Sequence, residues 1–286
     1  MAASVVVGAV AVVRSGRRAA AYPDRWDPRV TDLVEFVETQ RGLRFAHPVT
    51  VDFLDEEAFL ARFRAAGGGQ SQPDDERFSE FARAIGVADV GVDMGDAARE
   101  LADVSVAAWY SFENQNITVR GTTLDIATEV TVVHELTHAL QDQHFDLDSL
   151  TQQAVEGDIA APLPLIEGDA TRIEWRYIEE LSASDQAAYE EQIAAQFDPA
   201  DVEDIPLFLR LTLQYPYAFG PHFVIILDAL GGNERVDAAF DNAPSTAEMY
   251  FDPETFDGAQ EAVDPGTFLL SRGEVIDPGG EFGPLG

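Results

Sequence analysis

Three side chains in the stretch Thr131-Val-Val-His-Glu-Leu-Thr-His-Ala-Leu140, namely His134, Glu135 and His138, have the types and spacing for metal-assisted hydrolysis. On a helix, two residues four apart differ by about 40° of rotation and about 6 Å of rise, so both imidazoles leave one face and can share an ion. The carboxylate between them stands at the edge of that ion's open side. In the H-E-x-x-H pattern the histidines bind zinc and the glutamate takes the proton of an activated water. Hydrogen-bonded core histidines are the bland alternative. An ion, however, is the simplest partner for two buried imidazoles beside a buried carboxylate.

A catalytic zinc takes three protein ligands and keeps one position open. The chain has no cysteine, so the third ligand must be His, Asp or Glu. His144 has the spacing of the last histidine in H-E-x-x-H-x-x-G-x-x-H, but Gln141 stands where that pattern breaks the helix with glycine. On an unbroken helix His144 lies about 15 Å along the axis from His134. Glu156 is nearer in sequence than the next helix, within what reads as a connecting loop. Glu167 is the favoured ligand. Pro162 and Pro164 mark a helix entrance just before it, and Leu165 to Glu180 runs at helical period, with Ile166, Ala170, Ile173 and Tyr177 on one stripe. Gly168 beside it is expected to let this helix and the motif helix approach closely around an ion. Thr171 and Glu174 share the face of Glu167 and are candidates to orient a ligand histidine through its other ring nitrogen.

These residues need a core to hold them, and 286 residues at 46% hydrophobic supply one. The chain carries 52 acidic residues against 18 basic ones, for a formal charge of −34, and every basic residue is arginine. Such a field repels phosphate backbones and excludes nucleic acid as a partner. It suits a solvated surface adapted to high salt. Without cysteine there is no disulfide framework and no thiolate metal site.

Four sections follow from the pattern. Residues 1–21 form an apolar N-terminal segment whose apolar run, Ala2–Val13, is too short to cross a bilayer; it reads as the remnant of a membrane anchor, with a frayed apolar end as the alternative, and is set apart from the fold. Residues 22–105 read as helices and one strand: a helix with Val30, Leu33, Val34 and Val37 on one stripe, a strand from His47 to Phe53, and helices over Asp55–Ala66, Glu76–Ile85 and Gly95–Leu101. Residues 106–253 hold the chemistry. Strands at Val106–Phe112 and Asn116–Val119 lead into the motif helix, with Thr122 and Asp125 resembling a capping box at its start. An exposed strand edge there could align an extended peptide. Two apolar helices, Leu207–Leu213 and Pro221–Leu230, are expected to be joined through Tyr215–Gly220 and stopped by Gly231-Gly-Asn233. The tail, 254–286, is rich in Gly, Pro and acid, and its last ten residues are expected to lack regular structure. The fold class is α+β and mostly helical.

His134-Glu-Leu-Thr-His-Ala-Leu-Gln-Asp-Gln-His-Phe145, with Glu167-Gly-Asp-Ala-Thr171, resembles the gluzincin type of zinc metallopeptidase, and more narrowly a microbial group with the HELTHALQDQ signature. The resemblance spans about Val106 to Leu181. It implies a zincin-like core with a short strand pair before the active-site helix, Zn2+ on His134, His138 and Glu167, Glu135 as general base, and a peptide or protein substrate. Tyr217 and His222 are candidates to stabilise the tetrahedral oxyanion, against readings as a packed tyrosine and a surface or capping histidine. The narrower group is expected to carry a histidine after its G-G-N-x-x-V-D stretch. This chain has Gly231-Gly-Asn-Glu-Arg-Val-Asp237 and then Asp252 where that histidine would stand. A weakly active or inactive homologue that keeps zinc for structure or binding is therefore the alternative, with His144 or Asp142 closing the fourth position. The N-terminal segment tilts the expected location toward a membrane or an extracytoplasmic compartment; the sequence is silent on oligomeric state.

Overall fold

The computed structural model describes residues 22–66, 75–153, 161–196 and 199–257, with short strand segments at 7–8, 268–269 and 275–276. In chain order these form β1 (Val7–Gly8), α1 (Thr31–Arg41), β2 (Thr50–Leu54), α2 (Glu56–Ala65), α3 (Asp75–Ala84), α4 (Met94–Ser105), β3 (Val106–Ser111) and β4 (Asn116–Arg120). There follow α5 (Ile126–Phe145), α6 (Leu147–Gln153), α7 (Leu163–Glu180), α8 (Ala183–Gln196), α9 (Leu207–Asp241), β5 (Phe268–Leu269) and β6 (Val275–Ile276). Two 3-10 turns, Pro199–Val202 and Ala247–Phe251, flank α9. The chain is α+β and mostly helical. It forms two compact units: Met1–His144 with Ala170–Tyr215, and Phe145–Asp169 with Pro216–Gly286.

In the first unit, α1 buries Leu33, Val34 and Val37 and ends at Gly42, whose positive φ of 68° lets its N–H reach back to Glu38. Asp55 and Asp93 start α2 and α4 by accepting from the N–H groups of Ala58 and Asp96, at 2.9 and 3.0 Å. From that cap α4 runs on to Ser105, four residues beyond the expected end at Leu101, and passes straight into β3. The sheet has the order β1-β3-β4-β2. β3 and β4 are antiparallel, with Ala108 opposite Val119 and Ser111 opposite Asn116, and Gln115 takes a φ of 48° in the turn between them. β2 runs parallel to β4, from Thr50 beside Asn116 to Leu54 beside Arg120. It begins at Thr50 and not at His47, because Pro48 has no N–H for a ladder. Phe59 and Phe63 of α2 pack with Val106 and Trp109 of β3 as one buried cluster.

Val7–Gly8 pairs parallel with β3, so these two residues join the sheet; the rest of the apolar N-terminal segment lies outside the described residues. The last ten residues lie outside them too. Among the described residues, no helix is long and apolar enough to cross a membrane.

In the second unit, Phe145 stacks on Phe240 with ring centroids 4.6 Å apart. Phe223 packs edge-on against Tyr250 and Phe256. The expected linker at Tyr215–Gly220 is helical: α9 runs unbroken through Pro216 and Pro221, and its backbone departs from helical angles only at Gly231 and Gly232. The burial of Phe223, Val224 and Leu227 on one face outweighs the proline signal. α6 of this unit and α8 of the first answer to no segment read as helical. Both start on local caps, Ser149 N–H on the Asp146 carboxylate and Asp185 N–H on the Ser182 hydroxyl.

Candidate metal centre

The motif helix α5 starts on Asp125, which accepts the Thr128 N–H at 3.0 Å and the Thr128 hydroxyl at 2.8 Å. Asp125 is thus the cap itself, where a box opened by Thr122 was expected; it directly precedes Ile126, so its carboxylate meets the first-turn donors. The Ala127 N–H is taken by Gln192 of α8 at 2.9 Å. From Val130 to Asp142 every residue of α5 is buried. The helix therefore has no solvent-facing side along that stretch, and its polar residues must be satisfied within the protein.

His134 and His138 leave one sector of α5 with ring centroids 4.7 Å apart and planes at 82°. Nδ1 of His134 lies 2.9 Å from Oε2 of Glu174, and Nδ1 of His138 lies 3.0 Å from Oε1 of Gln141. Both partners are acceptors, so each Nδ1 carries the proton and Nε2 keeps the lone pair that can bind a metal. Of the two residues expected to brace a ligand, Glu174 bonds His134; the buried Thr171 hydroxyl bonds neither histidine. In the sequence Gln141 stands where a glycine would break the helix and shares the sector of His134 and His138, but no bracing role was read from it. Its place three residues after His138, on the same helical side, is the signal for its bracing role.

Glu167, in the second turn of α7, completes the group. One ligand atom from each of His134, His138 and Glu167 lies within 4.8 Å of the others, and all three residues are buried. Two imidazole nitrogens and one carboxylate oxygen form the donor set of a three-ligand zinc site, in which bonds of about 2.1 Å hold ligand atoms roughly 3.5 Å apart. The buried Glu135 stands next to His134 on the helix.

Two of the remaining candidates have partners of their own. Nε2 of His144 meets the Arg44 carbonyl at 2.9 Å in an exposed setting, and Asp142 accepts the Tyr110 hydroxyl at 2.9 Å. Tyr217 is half-buried, and His222 and Asp252 are exposed. Glu156 lies outside the described residues. His47 is structural, stacked on Tyr22 with ring centroids 3.4 Å apart.

No protein-family model, no curated protein and no solved structure matches the chain.

Two phenols mark the surroundings. The Tyr177 hydroxyl donates to Glu129 of α5 at 2.9 Å, and burial together with that carboxylate holds its pKa above the usual phenol range. Tyr189 is pushed the same way by burial and then by Glu174. A cavity of about 340 Å³ is lined by Val106 and Ala107 of β3, Arg120 of β4, Thr128 and Thr131 of α5 and Gln196 of α8. His134, Glu135, His138 and Glu167 are not among the residues that line it.

Proposed function

We propose that this chain is a zinc-dependent peptidase of the gluzincin type, with His134, His138 and Glu167 as zinc ligands and Glu135 as general base. The observation that carries this reading is the buried His134, His138 and Glu167 group, in which Glu174 and Gln141 hold the tautomers that leave both Nε2 atoms able to bind. Zinc, when bound, supplies a Lewis acid that polarises the scissile carbonyl and acidifies water. Glu135 accepts the proton of the attacking water and delivers it to the leaving amine nitrogen. Its burial keeps that carboxylate out of bulk solvent, where a proton would be lost to water. Peptide is preferred over other hydrolysable substrates on the resemblance of the motif.

The alternative, a weakly active homologue using zinc for structure, is favoured by Asp252 in place of a histidine. Against it stand the retained Glu135, which a structural site does not need, and the engagement of His144 and Asp142 with other partners. Metal analysis together with hydrolysis of a generic peptide by the wild type and Glu135→Gln separates the two. The peptidase reading expects about one zinc per chain in both proteins, and activity lower by roughly 10²–10⁴-fold in Glu135→Gln. Full activity in that variant would sink the mechanism.

A further inference from the structure

The start of α7 is held in part by a side chain from a distant segment. A helix leaves its first N–H groups without intrahelical acceptors. Pro162 and Pro164 carry no N–H and so remove two of these donors, and the Ile166 N–H bonds the Pro162 carbonyl at 3.2 Å. The Leu165 N–H is taken by the hydroxyl of Tyr250, at 3.2 Å, and the same hydroxyl donates to the Ala161 carbonyl just before the helix. Tyr250 is only 1% exposed, and its ring is fixed edge-on by Phe223, with centroids 4.8 Å apart. One turn on, Gly168 lies directly against Gly220 of α9. A Cβ added to Gly168 would overlap the Gly220 carbonyl, and one added to Gly220 would overlap the Pro164 carbonyl. The backbone is therefore pinned at Leu165 and at Gly168, and Glu167 lies between the two pins.

We propose that Tyr250 is a positioning residue for Glu167: its hydroxyl fixes where α7 begins and so where the Glu167 carboxylate is held. The inference rests on Glu167 being a metal ligand. A helix start that lacks such a fixture frays, and fraying would displace a carboxylate in the second turn while leaving the two histidines on α5 in place. It also gives the segment Ser245–Pro253, which departs from the expected family pattern at Asp252, a part in the site through Tyr250.

The test uses the full chain. Zinc affinity is measured by chelator competition for wild type, Tyr250→Phe, Glu167→Gln and Phe63→Leu, with thermal unfolding of each metal-free protein. Phe63→Leu is the control, because it loosens the separate cluster of Phe59, Phe63, Val106 and Trp109. Tyr250→Phe keeps the ring and is expected to weaken zinc binding by about 10-fold, as loss of a group supporting a ligand does. Phe63→Leu is expected to lower Tm with affinity unchanged. Wild-type affinity in Tyr250→Phe, with the expected loss in Glu167→Gln, overturns the proposal alone. So does an affinity loss no greater than that of Phe63→Leu at equal loss of Tm. A Tyr250→Phe chain that does not fold also overturns it, since the hydroxyl would then hold up the whole unit. Undiminished zinc binding in Glu167→Gln removes the metal-site reading itself, and the proposal with it.

Discussion

Glu174 holds Nδ1 of His134 at 2.9 Å across two helices, whereas Gln141 holds Nδ1 of His138 at 3.0 Å from within the same helix. The two braces differ in kind. A carboxylate raises the basicity of the ring it accepts from, while a neutral amide mainly fixes orientation. Glu174→Gln should weaken zinc binding by roughly 10-fold and Glu174→Ala by up to about 100-fold. Gln141→Leu should cost less than Glu174→Ala. Titration against a chelator of known affinity ranks the three, and equal effects for Glu174→Gln and wild type would remove the carboxylate's special role.

Gly168→Ala tests the backbone contact with Gly220. The added methyl group meets a carbonyl that cannot swing away as a side chain could. Overpacking of this kind costs about 3 kcal/mol, which lowers Tm by roughly 6–12 °C for a chain of this size. Differential scanning calorimetry reads it, and a Tm within a degree of wild type would show that α7 and α9 can separate without penalty.

Tyr177 makes the alkaline limb of stability informative. Its pKa is raised in the folded protein, so the folded state holds the phenol proton more tightly than the unfolded state does. The resulting stabilisation is complete below the unfolded value of about 10 and is lost as pH rises from there toward the folded value. Tyr177→Phe should cost about 1–2 kcal/mol at neutral pH, through the lost bond to Glu129. It should also make the decline above pH 10 shallower, though not flat, because Tyr189 is shifted the same way. Urea midpoints between pH 8 and 11.5 for both proteins decide this; parallel curves would refute it.

The charge of −34 predicts a response to salt. Self-repulsion destabilises a compact chain, and the screening length falls from about 10 Å at 0.1 M to about 3 Å at 1 M. Tm should rise by several degrees between 0.1 and 2 M KCl. A Tm that stays flat or falls over that range would mean that acidic side chains are compensated locally.

That His134, His138 and Glu167 would come together was legible because the parts of the group are local patterns. Four-residue spacing puts His134 and His138 on one side of a helix, and seven-residue spacing does the same for Glu167 and Glu174. Paired prolines before Glu167 announce its helix. What spacing could not give is the partner across a long-range contact. Gly168 was expected to admit the motif helix, but the element against it is α9, through Gly220. The prolines of α9 suggested a linker that packing overrides, and Asp125, the residue directly before the helix, displaced Thr122 as cap. Gln141 was visible all along, but its bond to His138 depends on a rotamer that sequence spacing does not specify.

The stretch from Val130 to Asp142, buried at every position, also decides how this site can be dissected by mutation. In a saturation scan of those residues, polar or oversized substitutions at packing positions would lower the yield of folded protein, as changes at His134, His138 or their hydrogen-bond partners also could, so a map of lost signal alone would not tell them apart. Separating the roles requires each variant to be sorted first by whether it accumulates as folded protein, and only then by whether it retains metal.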